Sequence, residues 1–412
     1  MTARLTVGEA PDIRKHNLSQ LLRLLHLGGP MRRAQLTDLT GLNRSTVAGL
    51  VAELAALGAV LEEPDLGLVE KQGKKKGKQA KAGRPSPLVR PRPETVQVLA
   101  ADVSIGRVSM ALIGLGGAVV ARRSRSFTDS SARTIARLLA TLSKELLASP
   151  RAGRHVVALG VSVPGVVRGQ DGNVRFAPNL GWEDQPLGEL LDVALAERGI
   201  SGLRVGLAND GDLGVLAEHQ RGVARGYDDV VFVEGETGVG SGVISGGLPL
   251  AGSGGYAGEL GHLTIRRGGR LCRCGARGCW ETEIGAGAMA RALGLPEDAD
   301  EGEVGVLLRS AAVTGNASLV ARLDEVAEYL GIGLANVVNA FNPQLVVLGG
   351  LLQDLYPLVA ERVTEVIGAA ALRAPMEQVQ LVLPELGADA VLLGAGEYAW
   401  REVLADPVAA LS

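Results

Sequence analysis

The chain has 412 residues, 46% of them hydrophobic and 21% charged, which is enough apolar material for two or three domains with large cores. No run of about 18 uncharged apolar residues marks a membrane span and no signal-peptide segment opens the chain, so a soluble, cytoplasmic protein is expected. The net charge of −3 is unevenly divided: residues 1–94 carry 16 Lys plus Arg against 9 Asp plus Glu, and the remainder 26 against 36. A basic head on an acidic body points to a polyanion that meets the head alone.

From Asp12 to Leu27 the apolar positions Ile13, Leu18, Leu21, Leu22 and Leu25 follow helical spacing, and Gly28, Gly29 and Pro30 end the element. A second short helix is expected over Arg32–Gly41, with Leu36 and Leu39 inward. A third starts after an N-cap at Asn43 and buries Val47, Leu50, Val51 and Leu54. Three helices with a tight glycine turn before the third read as a helix-turn-helix, whose third helix would present Arg44, Ser45 and Thr46 to the bases of a major groove. A plain three-helix bundle is the alternative reading. The stretch AVLEEPDLGLVE is expected to form a hairpin wing. Residues 71–92 hold nine positive and no negative charges, a solvated run that could also collect phosphate contacts.

Beyond Pro93 the composition changes. Short β-branched runs (VQVLAADVSI, VSMALIGL, HVVALGVSVPG, LRVGLAND) alternate with helical patterns such as Thr134–Leu147, giving an α/β architecture with loops at strand ends open to ligands. All three cysteines, Cys272, Cys274 and Cys279, fall within eight glycine-rich residues, with His262 ten residues ahead of the first. Three thiolates and one imidazole suit a tetrahedral structural zinc with no open position. Buried thiols or a redox pair are the alternatives. Glu259 and Glu281 flank this set. A metal clip would hold both carboxylates rigidly, as a ring of sugar hydroxyls requires, although either could be a solvated surface glutamate.

The run Ala257-Gly-Glu-Leu-Gly-His262 followed by Cys-x-Cys-Gly-x-x-Gly-Cys-x-Glu resembles the signature of the ROK family, which groups sugar-responsive bacterial repressors with sugar kinases. The resemblance implies zinc at His262, Cys272, Cys274 and Cys279, and sugar contacts from Glu259, His262 and Glu281. The head resembles the winged helix-turn-helix of the family's repressors. Gly83-Arg84-Pro85 resembles their wing tip, so Arg84 would reach into a minor groove. The body, from about residue 96 to the end, is then expected to be an actin-like (ribonuclease H-like) pair of lobes. The expected domains are 10–92 for the head with its basic wing and 96–412 for the sugar-binding body, with the zinc loop at 259–281. By the same comparison Asn179 in NLGW would contact a hydroxyl, and Asn209 and Asp210 in LANDGD would hold the sugar. In the family's kinases the equivalent of Asp210 is the general base.

Phosphoryl transfer needs amides and cations packed around the ATP phosphates. ROK kinases begin with Asp-x-Gly-Gly-Thr-Lys, whereas this chain has Asp102-Val-Ser-Ile-Gly-Arg107, with Ser104 and Ile105 in place of the paired glycines. Thr237-Gly238-Val239-Gly240-Ser241-Gly242 keeps its glycines but follows Glu236, where a carboxylate would repel phosphates. A non-enzymatic sugar-responsive repressor is therefore expected. It would bind double-stranded operator DNA and a sugar or sugar phosphate, act as a homodimer or homotetramer, and make no membrane contact. A sugar kinase with a DNA-binding head is the main alternative, and a zinc-stabilised DNA-binding protein with a vestigial cleft is another.

Overall fold

The computed structural model describes residues 10–64 and 86–411, and among these no helix is long and apolar enough to cross a membrane. The head runs α1 (Ala10–Gly28), β1 (Met31–Arg32), α2 (Arg33–Thr40), α3 (Arg44–Ala56), β2 (Val60–Glu63) and β3 (Leu88–Pro91). Gly41 at φ 68° stops α2, and the Asn43 side chain caps α3 by accepting from Thr46 N at 2.8 Å. Leu18, Leu21, Leu22 and Leu25 of α1 pack with Leu36 and with the expected inward face of α3.

Two details of the head differ from expectation. Ile13 is 51% exposed and Leu39 57% exposed. Ile13 lies five residues before Leu18, which at about 100° per residue turns it off the inward stripe, and the two-turn α2 has one buried place, taken by Leu36. The wing strand β2 pairs with β3 through Glu62↔Val89 and Glu63↔Leu88, and the second half of the expected hairpin, residues 65–70, lies outside the described residues. Residues 65–85, including most of the lysine-rich run and Arg84, lie outside the described residues.

The body contains two sheets of one pattern. In the first lobe β4 (Val96–Ser104), β5 (Arg107–Gly114) and β6 (Val119–Ser126) form an antiparallel meander. After α4 (Ala132–Leu147), β7 (His155–Val163) runs parallel to β4. A small antiparallel layer of β8 (Val166–Arg168), β9 (Asn173–Ala177) and β10 (Trp182–Gln185) precedes α5 (Leu187–Glu197) and β11 (Arg204–Asn209), which is parallel to β7. Helix α6 (Asp210–Arg221) then leads into the second lobe. There β12 (Val230–Gly235), β13 (Val239–Ser245) and β14 (Leu248–Pro249) form the meander.

After a long loop come α7 (Trp280–Ile284), α8 (Ala286–Leu293), α9 (Glu301–Thr314), α10 (Ala317–Arg322) and α11 (Asp324–Phe341). Strand β15 (Leu345–Gly350) follows, then α12 (Leu352–Ala370), α13 (Arg373–Met376) and β16 (Gln380–Val382). Strands β12, β15 and β16 are parallel, so the order 16-15-12-13-14 repeats 11-7-4-5-6 of the first lobe. The central strands are almost continuously apolar because both faces are covered.

Helices α14 (Ala390–Ala405) and α15 (Pro407–Leu411) return to the first lobe. A Cβ at Gly160 of β7 would lie 2.0 Å from Ala395 O, and one at Gly394 2.0 Å from Leu213 O, so α14 packs backbone to backbone on the sheet and on α6. Trp400, Val403 and Leu404 of α14 share one apolar cluster with Leu18, Leu21, Leu22 and Leu25 of α1. The head core is therefore continuous with the outer layer of the first lobe.

Candidate ligand cleft and metal centre

The ends of β4, β11 and β12, the turn between β9 and β10, and the long loop of the second lobe converge on a cavity of about 360 Å³. Asn179, Asn209, Asp210, Glu259, His262 and Glu281 all line it, beside Pro164 and Gly165. Asn209 caps α6 by accepting from Asp212 N, and its amide donates to Gly165 O at 3.0 Å, which fixes where the first turn of α6 begins. Asp210 follows, with Oδ1 accepting from Gly211 N at 2.8 Å. Burial, then Asp102 and Glu259, push its carboxyl up to about 7. Burial, then Glu259 and Asp210, do the same for Asp212.

Glu259 stands just before the 3₁₀ turn Leu260–His262, which presses on β13 so closely that a Cβ at Gly261 would lie 2.2 Å from Val239 O. Glu281 sits in the first turn of α7, two residues after Cys279. Arg273 donates to Asn179 Oδ1 at 2.7 Å, tying the cysteine loop to the opposite wall of the cavity. The sequence shows Arg273 between two cysteines but gives no sign of its partner.

His262, Cys272, Cys274 and Cys279 come together with one ligand atom from each, all within 4.8 Å of one another. His262 Nδ1 is 3.8 Å from Cys272 Sγ, and Cys274 Sγ is 3.6 Å from Cys279 Sγ. Two short bridges, Thr264↔Cys279 and Leu271↔Arg277, close the loop, and Gly275 and Gly278 take φ 91° and 75° in its turns. Trp280, fully buried, donates to Tyr329 O at 2.9 Å and anchors the loop to α11. Arg266 reaches the buried Glu283 at 3.2 Å as a second anchor. A set of three thiols and an imidazole this compact could hold one metal ion.

The other side of the cavity is rich in carboxylates. Desolvation, then Ser104 and Ser162 acting in the opposite sense, leave Asp102 above its ordinary range. Glu234 and Glu236 are held up by desolvation, Glu234 further by Glu236 and Glu236 further by Glu301. Thr237 Oγ1 donates to Glu301. The cations lining this side are Arg107 and Arg309, and Arg309 is already paired with Asp354. Ile105 projects from the β4–β5 turn, 47% exposed. Glu234 and Glu301 carry no motif and were not singled out from the sequence.

A family model described as "ROK family" matches residues 99–402. The chain belongs to the ROK family. Among its ROK relatives, the xylose repressor of Bacillus subtilis (strain 168) is 28% identical over 389 residues, covering 94% of this chain and 96% of that one. A glucokinase of Halalkalibacterium halodurans is 30% identical over 310 residues, covering 72% and 92%. The crystal structure of a ROK family transcriptional regulator, described as a homolog of the E. coli MLC protein, superposes with a TM-score of 0.75 at 24% identity, covering 96% of this chain and 97% of that one. The repressor and regulator matches span nearly the whole chain, head included, whereas the glucokinase match is confined to a smaller share.

In this ROK chain the head presents Arg44 and Ser45, both exposed, and Thr46, half-buried, at the start of α3. Ser45 Oγ donates to the capping Asn43 at 2.7 Å. The outward face of α3 continues through Gly49, Ala52, Ala55 and Ala56, small residues that leave it smooth.

Proposed function

We propose that the chain is a sugar-responsive transcriptional repressor. Residues 10–92 form a winged helix-turn-helix that reads double-stranded operator DNA, and residues 96–412 form the sugar-binding body. One observation carries this reading: six polar side chains suited to sugar hydroxyls share one cavity, while the side a nucleotide would occupy is lined by Asp102, Glu234, Glu236 and Glu301. Carboxyl groups crowded there leave little cationic support for the phosphates of ATP, Arg309 being already paired with Asp354. The xylose repressors among the relatives support D-xylose as the first effector to test.

In this reading Glu259, Glu281, Asn179, Asn209 and Asp210 accept from and donate to the hydroxyls, and His262 presents one ring nitrogen to the sugar and the other to the metal. The metal is a structural zinc. Its four protein donors leave no open position, so its contribution is to fix Glu259 and Glu281 relative to each other. Arg44, Ser45 and Thr46 approach the base edges, Arg84 the minor groove, and the protein works as a homodimer or homotetramer whose symmetry matches its operator. Titration calorimetry with D-xylose and a panel of hexoses and N-acetylated sugars tests the body. Absence of binding by every sugar would refute it.

A second reading, a sugar kinase carrying a DNA-binding head, is favoured by Asp210, whose carboxyl at about 7 is tuned for general-base work near neutral pH. A coupled assay with ATP, magnesium and the same sugars separates the two. Turnover abolished by Asp210→Asn would establish the kinase.

A further inference from the structure

A largely buried polar joint lies where the head meets the body. His26, in the last turn of α1, is 1% exposed, and Glu397 of α14 is 3% exposed. Gly116 N donates to His26 Nδ1 at 3.1 Å, and His26 Nε2 lies between Glu397 Oε2 at 2.9 Å and Arg221 Nη2 at 2.7 Å. Arg221, the last residue of α6, donates through Nε to the other oxygen of Glu397 and through Nη1 to Gly116 O at 3.0 Å. Its guanidinium lies flat on the β5–β6 turn, where a Cβ at Gly117 would sit 2.3 Å from the central guanidinium carbon. Burial alone would raise the Glu397 carboxyl, yet His26 and Arg221 hold it below its ordinary range. The Trp400 ring covers the imidazole with centroids 5.1 Å apart.

This joint ends the helix that begins at the cleft. Asp210, which lines the ligand cavity, is the first residue of α6, and Arg221 is the twelfth. A helix of that length is a rod of about 18 Å. It is held sideways by the buried Glu218, whose carboxylate accepts from Val223 N at 2.9 Å and Leu386 N at 2.9 Å. Held sideways there, the helix passes an axial shift of its first turn on to Arg221. Apolar contacts between α1 and α14 tolerate sliding, whereas a buried, directional network has few satisfied arrangements and switches between them.

We propose that His26, Arg221 and Glu397 are positioning residues that couple the cleft to the head: ligand-driven movement of α6 is read through Arg221 by α1, and so sets the placement of α3. This rests on the sugar-responsive reading above. The experiment uses full-length protein, D-xylose, and a duplex enriched by the wild-type protein from a random-sequence pool. Duplex affinity is measured by fluorescence anisotropy with and without sugar, and sugar affinity by calorimetry.

His26→Gln and Arg221→Lys keep a hydrogen-bonding group at each position and are expected to fold. They should keep a xylose Kd within about twofold of wild type while cutting the sugar-induced change in duplex affinity from about tenfold or more to about threefold or less. Glu397→Ala, which strands two buried cationic or polar partners, should lower Tm and serves only to show what a purely structural loss looks like. An unchanged sugar response in both conservative variants overturns the joint while leaving the repressor reading intact. A wild-type protein that binds xylose or another sugar of the panel without altering duplex affinity overturns the coupling and the repressor reading together.

Discussion

Cys272 Sγ lies 2.7 Å from Glu281 Oε1, so a member of the proposed metal set directly touches a carboxylate of the ligand cavity. On the proposed reading, ligand binding depends on the loop's integrity even though the four protein donors would leave a metal ion no vacant position. Cys274→Ser should release most of the bound zinc and weaken sugar binding by about tenfold or more, as in the loss of supporting groups around other metal sites. Elemental analysis and calorimetry on the same sample check this. Full metal content, or unchanged sugar affinity after metal loss, would remove the mechanical link.

The loop's anchor gives a stability prediction. Gly333 on α11 faces Trp280 so closely that a Cβ there would lie 2.0 Å from the indole Cε2. Gly333→Ala should force Trp280 out of its buried position at a cost of about 1–3 kcal/mol, measurable as a lower Tm and as weaker sugar binding. A surface alanine such as Ala52→Gly would serve as the control for helix effects.

Asp210 yields a pH dependence with a defined sign. Its folded carboxyl is raised from 3.8 to about 7, so between these values the native state binds a proton that the unfolded chain does not. Stability from this group is full below about pH 4 and is lost as pH rises towards about 7. Asp210→Asn should remove that loss and raise Tm at pH 8 by roughly 2–5 °C, with little effect near pH 4. The same variant should bind sugar more weakly at pH 8, because the ionised carboxylate is the better acceptor for a hydroxyl. Equal Tm differences at both pH values would contradict the assignment.

Arg44→Ala should cost about 1–3 kcal/mol of operator affinity if its guanidinium reads a base, and Arg84→Ala should weaken binding through loss of a minor-groove contact. Anisotropy titrations at several salt concentrations distinguish the two kinds of contact. A base-reading Arg44 changes sequence preference, whereas a pure phosphate contact lowers the salt slope by about one.

Much of this was legible in the chain, and for identifiable reasons. The leucines of α1 and α3 announce themselves because helical period and burial coincide, and Asn43 marks a cap by its chemistry alone. The Cys/His spacing brings its own geometry, since the glycines between the cysteines leave few ways to fold the loop. What stayed hidden depends on contacts between distant segments. β2 finds its partner beyond an insertion, Arg273 meets Asn179 across the cavity, and His26 meets Glu397 at a separation of 371 residues. Glu234 and Glu301 acquire their character only when two strands and a helix crowd them together, a circumstance no local pattern encodes.

The most direct test of the central claim is operator affinity measured against a sugar panel, with wild-type protein and Glu281→Ala compared side by side. The account predicts that at least one sugar, with D-xylose first in order, shifts wild-type affinity about tenfold or more, and that Glu281→Ala binds the same DNA but no longer responds. An operator affinity indifferent to every sugar, or a Glu281→Ala protein that still responds fully, would contradict it.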